Sequence, residues 1–228
     1  MYDPIVIPTD GSDHARRAAI HALGVAEAVD AAVEVVSVLD VAAAAGPIDA
    51  GGLDDRFLDR LTAERERALQ SIESIAADRG IENVTTSVIR GRPADAILKH
   101  ANERDAGLLA MGTHGRTGVR RFVLGSVTEE VIARASVPVL TARSTEAPLE
   151  THYDEVLIPT DGSEFATVAV DHGVELAGLF DARVHALTVT NIDTVAGSRA
   201  AIPSSVLEDV RSAGETATEE IATAAERV

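Results

Sequence analysis

The hexapeptide Ile7-Pro8-Thr9-Asp10-Gly11-Ser12 returns unchanged as Ile158-Pro159-Thr160-Asp161-Gly162-Ser163, 151 positions later. The register then runs on without a gap, aligning His172 with His21, Val184 with Val33 and Val189 with Val38. A period this long is a whole structural unit, unlike the roughly 20–50 residues of a solenoid repeat. Whatever the first 150 or so residues fold into, the remainder starts to fold the same way.

Within the first unit, short apolar runs alternate with amphipathic ones. Pro4–Pro8 reads as a strand stopped by Thr9-Asp10-Gly11-Ser12. Ser12 then suits the N-cap of a helix with Ala15, Ala18, Ala19, Ala22, Leu23 and Ala26 at helical spacing. Val33–Leu39 is a second strand, and the Ala-, Gly- and Pro-rich stretch 41–52 reads as a mobile connection. Phe57, Leu61, Ala68, Ile72 and Ile75 place an amphipathic helix over 53–79, which Gly80 ends. Val84–Ile89 is a third strand, and Pro93 opens a helix running to about Asn102. A fourth strand ends at Leu108-Leu109-Ala110, a fourth helix spans 126–134 and a fifth strand 137–141. Alternation of this kind predicts an α/β fold, a doubly wound five-stranded parallel sheet with right-handed crossovers and helices on both faces.

The fourth strand leads into Met111-Gly112-Thr113-His114-Gly115-Arg116, and the loop closes on Gly125-Ser126-Val127 at a helix start. Glycines let a backbone approach a ligand, and the open N–H groups and dipole of a helix N-terminus favour an anion. A plain turn is the alternative, because Ser126 with Glu129 also makes a capping box that needs no ligand. In an open α/β sheet ligands lie beyond the carboxyl ends of the strands, where the winding reverses.

The spacing of Gly112, two residues, Gly115, nine residues and Gly125-Ser126 resembles the nucleotide-binding motif of the universal stress protein family, and the resemblance extends over residues 1–146. It implies strand order 3-2-1-4-5, the adenine nucleotide alpha hydrolase-like arrangement, with the crevice between strands one and four. It further implies binding of ATP or a related adenine nucleotide. Pro8, Thr9, Asp10 and Val38 would hold the adenine and ribose. Gly112, following Met111, would lie beside the ribose, and Gly115, Gly125, Ser126 and Val127 would bind phosphates. Arg116, Arg120 and Arg121 are candidates to neutralise phosphate charge, with solvated surface as the alternative. Asp10 reads equally as an Asx turn. Val38 is expected in the core in any case. His114 reads as a solvent-facing loop histidine, with phosphate or pH sensing as its other reading. No paired-histidine or carboxylate cluster marks a dedicated metal site, so Mg²⁺ would arrive with the nucleotide. No catalytic residue is assigned: the loop from Gly112 to Ser126 holds no carboxylate. A nucleotide-binding regulatory protein is the first reading, and a slow ATP hydrolase or phosphotransferase the second.

The domain expectation is a complete nucleotide-binding unit over 1–143, a linker over 144–153 and a partial second unit over 154–228. A second glycine motif would fall near position 263. The formal charge of −17 argues against nucleic acid or an anionic membrane as partner. Lys99 is the single lysine, and acid excess with lysine depletion is similar to proteins of salt-loving organisms. Absence of cysteine, of an N-terminal leader pattern and of a membrane-length apolar run points to a cytoplasmic protein. The fifth strand, as the outer one, is expected to pair two first units into a homodimer near Val137–Ala142, as universal stress proteins commonly do.

Overall fold

In the computed structural model, residues 1–45, 55–115, 124–143, 151–189 and 204–228 are described. They divide into two compact units, Met1–Thr151 and His152–Val228.

The first unit runs β1 (Ile5–Pro8), α1 (Asp13–Val29), β2 (Val33–Leu39), α2 (Val41–Ala45), α3 (Asp55–Asp78), β3 (Val84–Arg90), α4 (Pro93–Glu103), β4 (Leu108–Gly112), α5 (Ser126–Arg134) and β5 (Val139–Ala142). Its five strands are all parallel, in the order β3-β2-β1-β4-β5. α1 packs against β4 and β5, α3 against β2 and β3, and α4 against β2 and α5. The central strands β1 and β4 are buried throughout, as expected of a parallel sheet covered on both faces. Val6, Val36, Leu109 and Met111 project from the sheet to meet Ile97 and Leu98 of α4 and Val131 of α5.

Local chemistry fixes the element boundaries. Ser12 caps α1, its side chain accepting from the Ala15 N–H at 3.2 Å. Asp30 ends the helix in a left-handed conformation, φ 54°, which an aspartate tolerates better than most residues. The stretch read as a mobile connection begins instead with α2, because the Asp40 carboxylate accepts the Ala43 N–H at 2.9 Å and starts a turn through Ala-rich sequence. Residues 46–54 lie outside the described set.

The second unit holds β6 (Glu155–Pro159), α6 (Glu164–Leu179), β7 (Arg183–Leu187) and α7 (Ser204–Ala225), with β6 and β7 parallel. Ile158, Val170, Val174 and Ile221 form its core. Of the stretch read as a linker, 144–150 fall outside the described residues. Thr151 lies close enough to α1 that a Cβ at Gly24 would meet it at 3.1 Å. Tyr153 sets its ring edge-on to Phe180 at 4.8 Å. Among the described residues no helix is long and apolar enough to cross a membrane.

Candidate functional site: the crevice between β1 and β4

β1 has β2 on one side and β4 on the other, so the winding reverses between β1 and β4. Two sequence-distant turns meet at their carboxyl ends. The first, Thr9-Asp10-Gly11-Ser12, is held by its own side chains: Gly11 N–H donates to Thr9 Oγ1 at 3.1 Å and Ser12 N–H to Asp10 Oδ1 at 3.0 Å. Gly11 takes φ 80°, a conformation that excludes most side chains. Asp10 thus makes the Asx turn considered from sequence, and it also faces the crevice. The buried Ser37 hydroxyl donates to the Thr9 carbonyl at 2.7 Å and anchors the turn to β2.

The second turn follows β4 and is tied to α5. Thr128, buried, donates its hydroxyl to the Gly112 carbonyl at 2.8 Å, and Gly125 N–H donates to the Thr113 carbonyl at 2.7 Å. Thr113, just after β4, and Gly125, just before α5, therefore meet. Ser12 Oγ lies 3.5 Å from the His114 carbonyl oxygen and links the two turns.

Between them is a cavity of about 490 Å³, a size that suits a small organic ligand. Pro8, Thr9, Asp10, Val38, Met111, Gly112, Gly115, Gly125, Ser126 and Val127 all line it. Arg116, Arg120 and Arg121 lie outside the described residues. Val38, expected in the core, is only half-buried because it is on this wall. Sequence reasoning missed Asp40 at the head of α2 and Ala43 within it, Leu61 and Arg65 from α3, and Pro93 and Ile97 from α4. The Asp40 cap ahead of an alanine run was a usable signal for α2. Nothing local marks Arg65 or Leu61, which tertiary packing alone brings here.

Two readings change at this site. Ser126 does not cap α5: Gly125 takes the cap position with no side-chain bond, and Ser126 is the first helical residue, exposed. The amides opening α5 therefore front the cavity without a side chain of their own to satisfy them. His114 is not solvent-facing but 9% exposed, with Nδ1 at 3.1 Å from Thr113 Oγ1 and Nε2 buried without a partner among the described residues. Its ring lies 5.2 Å from that of His14, whose pKa falls below the ordinary histidine range through burial first and the neighbouring His114 second.

The motif glycines also serve the protein's own packing, most tightly at Gly112. A Cβ at Gly112 would sit 2.6 Å from the Ala15 amide nitrogen, and one at Gly115 would sit 2.8 Å from Asp10 Oδ2. At Gly125 it would come 3.3 Å from the Thr113 carbonyl. The glycines let the two turns and the head of α1 close on one another, and this closure shapes the crevice. Among the described residues no cluster of three or more histidine or carboxylate side chains is placed to hold a metal.

The universal stress protein family model matches residues 1–143 and again 152–228. Universal stress protein MJ0531 of Methanocaldococcus jannaschii is 39% identical over 143 residues, 63% of this chain and 83% of the relative. The solved universal stress protein UspA from Lactobacillus plantarum is similar with 25% identity and a TM-score of 0.55, over 62% of this chain and 98% of that one. A universal stress protein from Archaeoglobus fulgidus, 20% identical, shares the fold over 85% of this chain and 69% of its own, with a TM-score of 0.65. Sheet order, the paired turns at the β1–β4 switch point and both family matches agree: the chain belongs to the universal stress protein family.

Proposed function

We propose that the first unit binds ATP, or a related adenine nucleotide, in the crevice between β1 and β4, and that occupancy serves a regulatory role in a stress response. The observation that carries this reading is the start of α5. Gly125, Ser126, Val127 and Thr128 line the cavity, and the helix N-terminus there has no side-chain cap. Open amides at the positive end of a helix dipole are a phosphate site. In this reading Gly115, Gly125, Ser126 and Val127 take the phosphates, with Arg116 as a further cation proposed on sequence grounds. Val38, Pro8, Thr9 and Asp10 take the nucleoside, with Gly112 and Met111 as its floor. Mg²⁺ enters bound to the nucleotide. The outer strand β5 is proposed as the seam of a homodimer.

A valine at Gly115 or Gly125 would be a poor test, because its side chain would first strike the protein's own turns. Ser126→Asp separates fold from ligand. A carboxylate in the first turn of α5 suits the helix dipole, so the unliganded melting temperature should hold or rise. The same charge repels phosphate, and ATP affinity by calorimetry should fall at least about tenfold. Unchanged ATP affinity with an intact fold would remove the phosphate end from α5.

A further inference from the structure

We propose that Arg65 of α3 is a ligand-binding residue that takes an anionic phosphate group of the nucleotide in the crevice. The proposal rests on the reading of that crevice as a nucleotide site, and adds a residue outside the glycine motif and both turns.

Arg65 and Leu61 stand one helical turn apart on α3, and both line the cavity. The intervening Glu64 and the later Arg67 face a different hollow beside Thr9 and Arg16. Arg65 is half-buried, and its Nε is withdrawn from solvent without a hydrogen-bond partner among the described residues. Guanidinium is donor-only and stays charged at any ordinary pH, so its Nε–H can be satisfied only by an acceptor.

Each carboxylate of the same cavity has one oxygen turned to a backbone amide. Asp10 Oδ1 accepts from Ser12 N–H at 3.0 Å, and Asp40 Oδ1 from Ala43 N–H at 2.9 Å. Among the described residues Arg65 forms no ion pair. A cation with an open Nε donor therefore faces the cavity, and among the described residues neither of the cavity's carboxylates is paired with it. His114 carries a second buried open atom, Nε2, from the loop after β4. A neutral apolar occupant would leave both unsatisfied, whereas a phosphate oxygen answers the donor and the charge together.

Binding of ATP and adenosine, measured by calorimetry on the full chain, tests this with Arg65→Met and Arg65→Lys. Methionine keeps the aliphatic stem, so the fold survives, which unliganded melting checks directly. The expected result for Arg65→Met is an ATP affinity lower by about tenfold or more, with adenosine within about twofold of wild type. Arg65→Lys, which keeps the charge without the Nε donor, should fall between the two for ATP. ATP binding unchanged in Arg65→Met while wild type binds ATP would overturn the role of Arg65 and leave the nucleotide site standing. An equal loss of adenosine would also overturn it, placing the side chain at the nucleoside or in the frame of the site. A wild-type protein that binds no ATP would overturn both readings.

Discussion

Gly112 is gripped from two sides. The head of α1 leaves no room for a Cβ, with the Ala15 amide nitrogen 2.6 Å from where it would lie, and the Thr128 hydroxyl donates to the Gly112 carbonyl from α5. One small residue thus sets how closely β4, α1 and α5 converge on the crevice. Gly112→Ala should destabilise the first unit by about 1–3 kcal/mol, since backbone rather than a flexible side chain must yield. Thr128→Val keeps the shape but removes a buried hydroxyl donor, at a cost of about 1–3 kcal/mol. The two residues share one contact, so the double variant should cost less than the sum of the singles. Urea unfolding of all three variants checks this, and full additivity would mean that the contact does not couple them.

α1 shows how one element serves both core and site. Its face of Ala15, Ala18, Ala22 and Leu23 is buried, and small residues let the helix lie close to the sheet. The same helix carries His21, whose pKa lies below its ordinary value of 6.5, through burial first and then the charges of Arg17 and Arg79. Between the depressed folded pKa and 6.5, the unfolded chain takes a proton that the folded chain refuses. His21 therefore gives its full stability above 6.5 and loses it as pH falls through that window. The α4–α5 cluster adds a loss of the same sign: hydrogen bonds from Arg92 and Arg134 hold Glu130 and Asp95 below the usual carboxylate range. His21→Gln should flatten the fall in stability just below pH 6.5 while leaving the carboxylate part at lower pH. Thermal melting across pH reads this out, and an unchanged slope would mean that His21 titrates alike folded and unfolded.

At the scale of the whole molecule, charge and an open sheet edge oppose each other. β5 is one of the two outer strands of the five, and its Val139 and Leu140 are half-buried within the chain. Pairing of two such edges is resisted by a formal charge of −17 on each chain. Salt shortens the reach of that repulsion to about 10 Å at 0.1 M and about 3 Å at 1 M. Sedimentation should show the dimer fraction rising with salt, and Val139→Asp should hold the protein monomeric throughout. A monomer at every salt concentration, or a dimer indifferent to Val139→Asp, would reject the β5 seam. Pro138 is tied to β4 through its carbonyl, which accepts from Leu109 N–H at 3.0 Å.

Periodicity and punctuation alone determined the strands and helices of the first unit except α2, which stood in a stretch read as a connection. Alternating apolar runs, the Ser12 cap and Pro93 are local signals, and β2 and α5 fall on the residues those signals indicated. The repeated Thr-Asp-Gly-Ser turn was equally legible, because it is held by its own side chains. The same two bonds form in the second unit, at Gly162 N–H to Thr160 Oγ1 and Ser163 N–H to Asp161 Oδ1. Burial was not legible in this way. Val6 and Leu157 occupy equivalent repeat positions, yet Val6 is fully buried beneath α4 and α5 while Leu157 is 61% exposed. The fate of a strand side chain depends on what covers its face, which its neighbours in sequence do not encode. The site divides along the same line. Its glycines and hydroxyls stood in the sequence, but only the packed structure buried His114, set the uncapped start of α5 on the cavity and brought Arg65 across from α3.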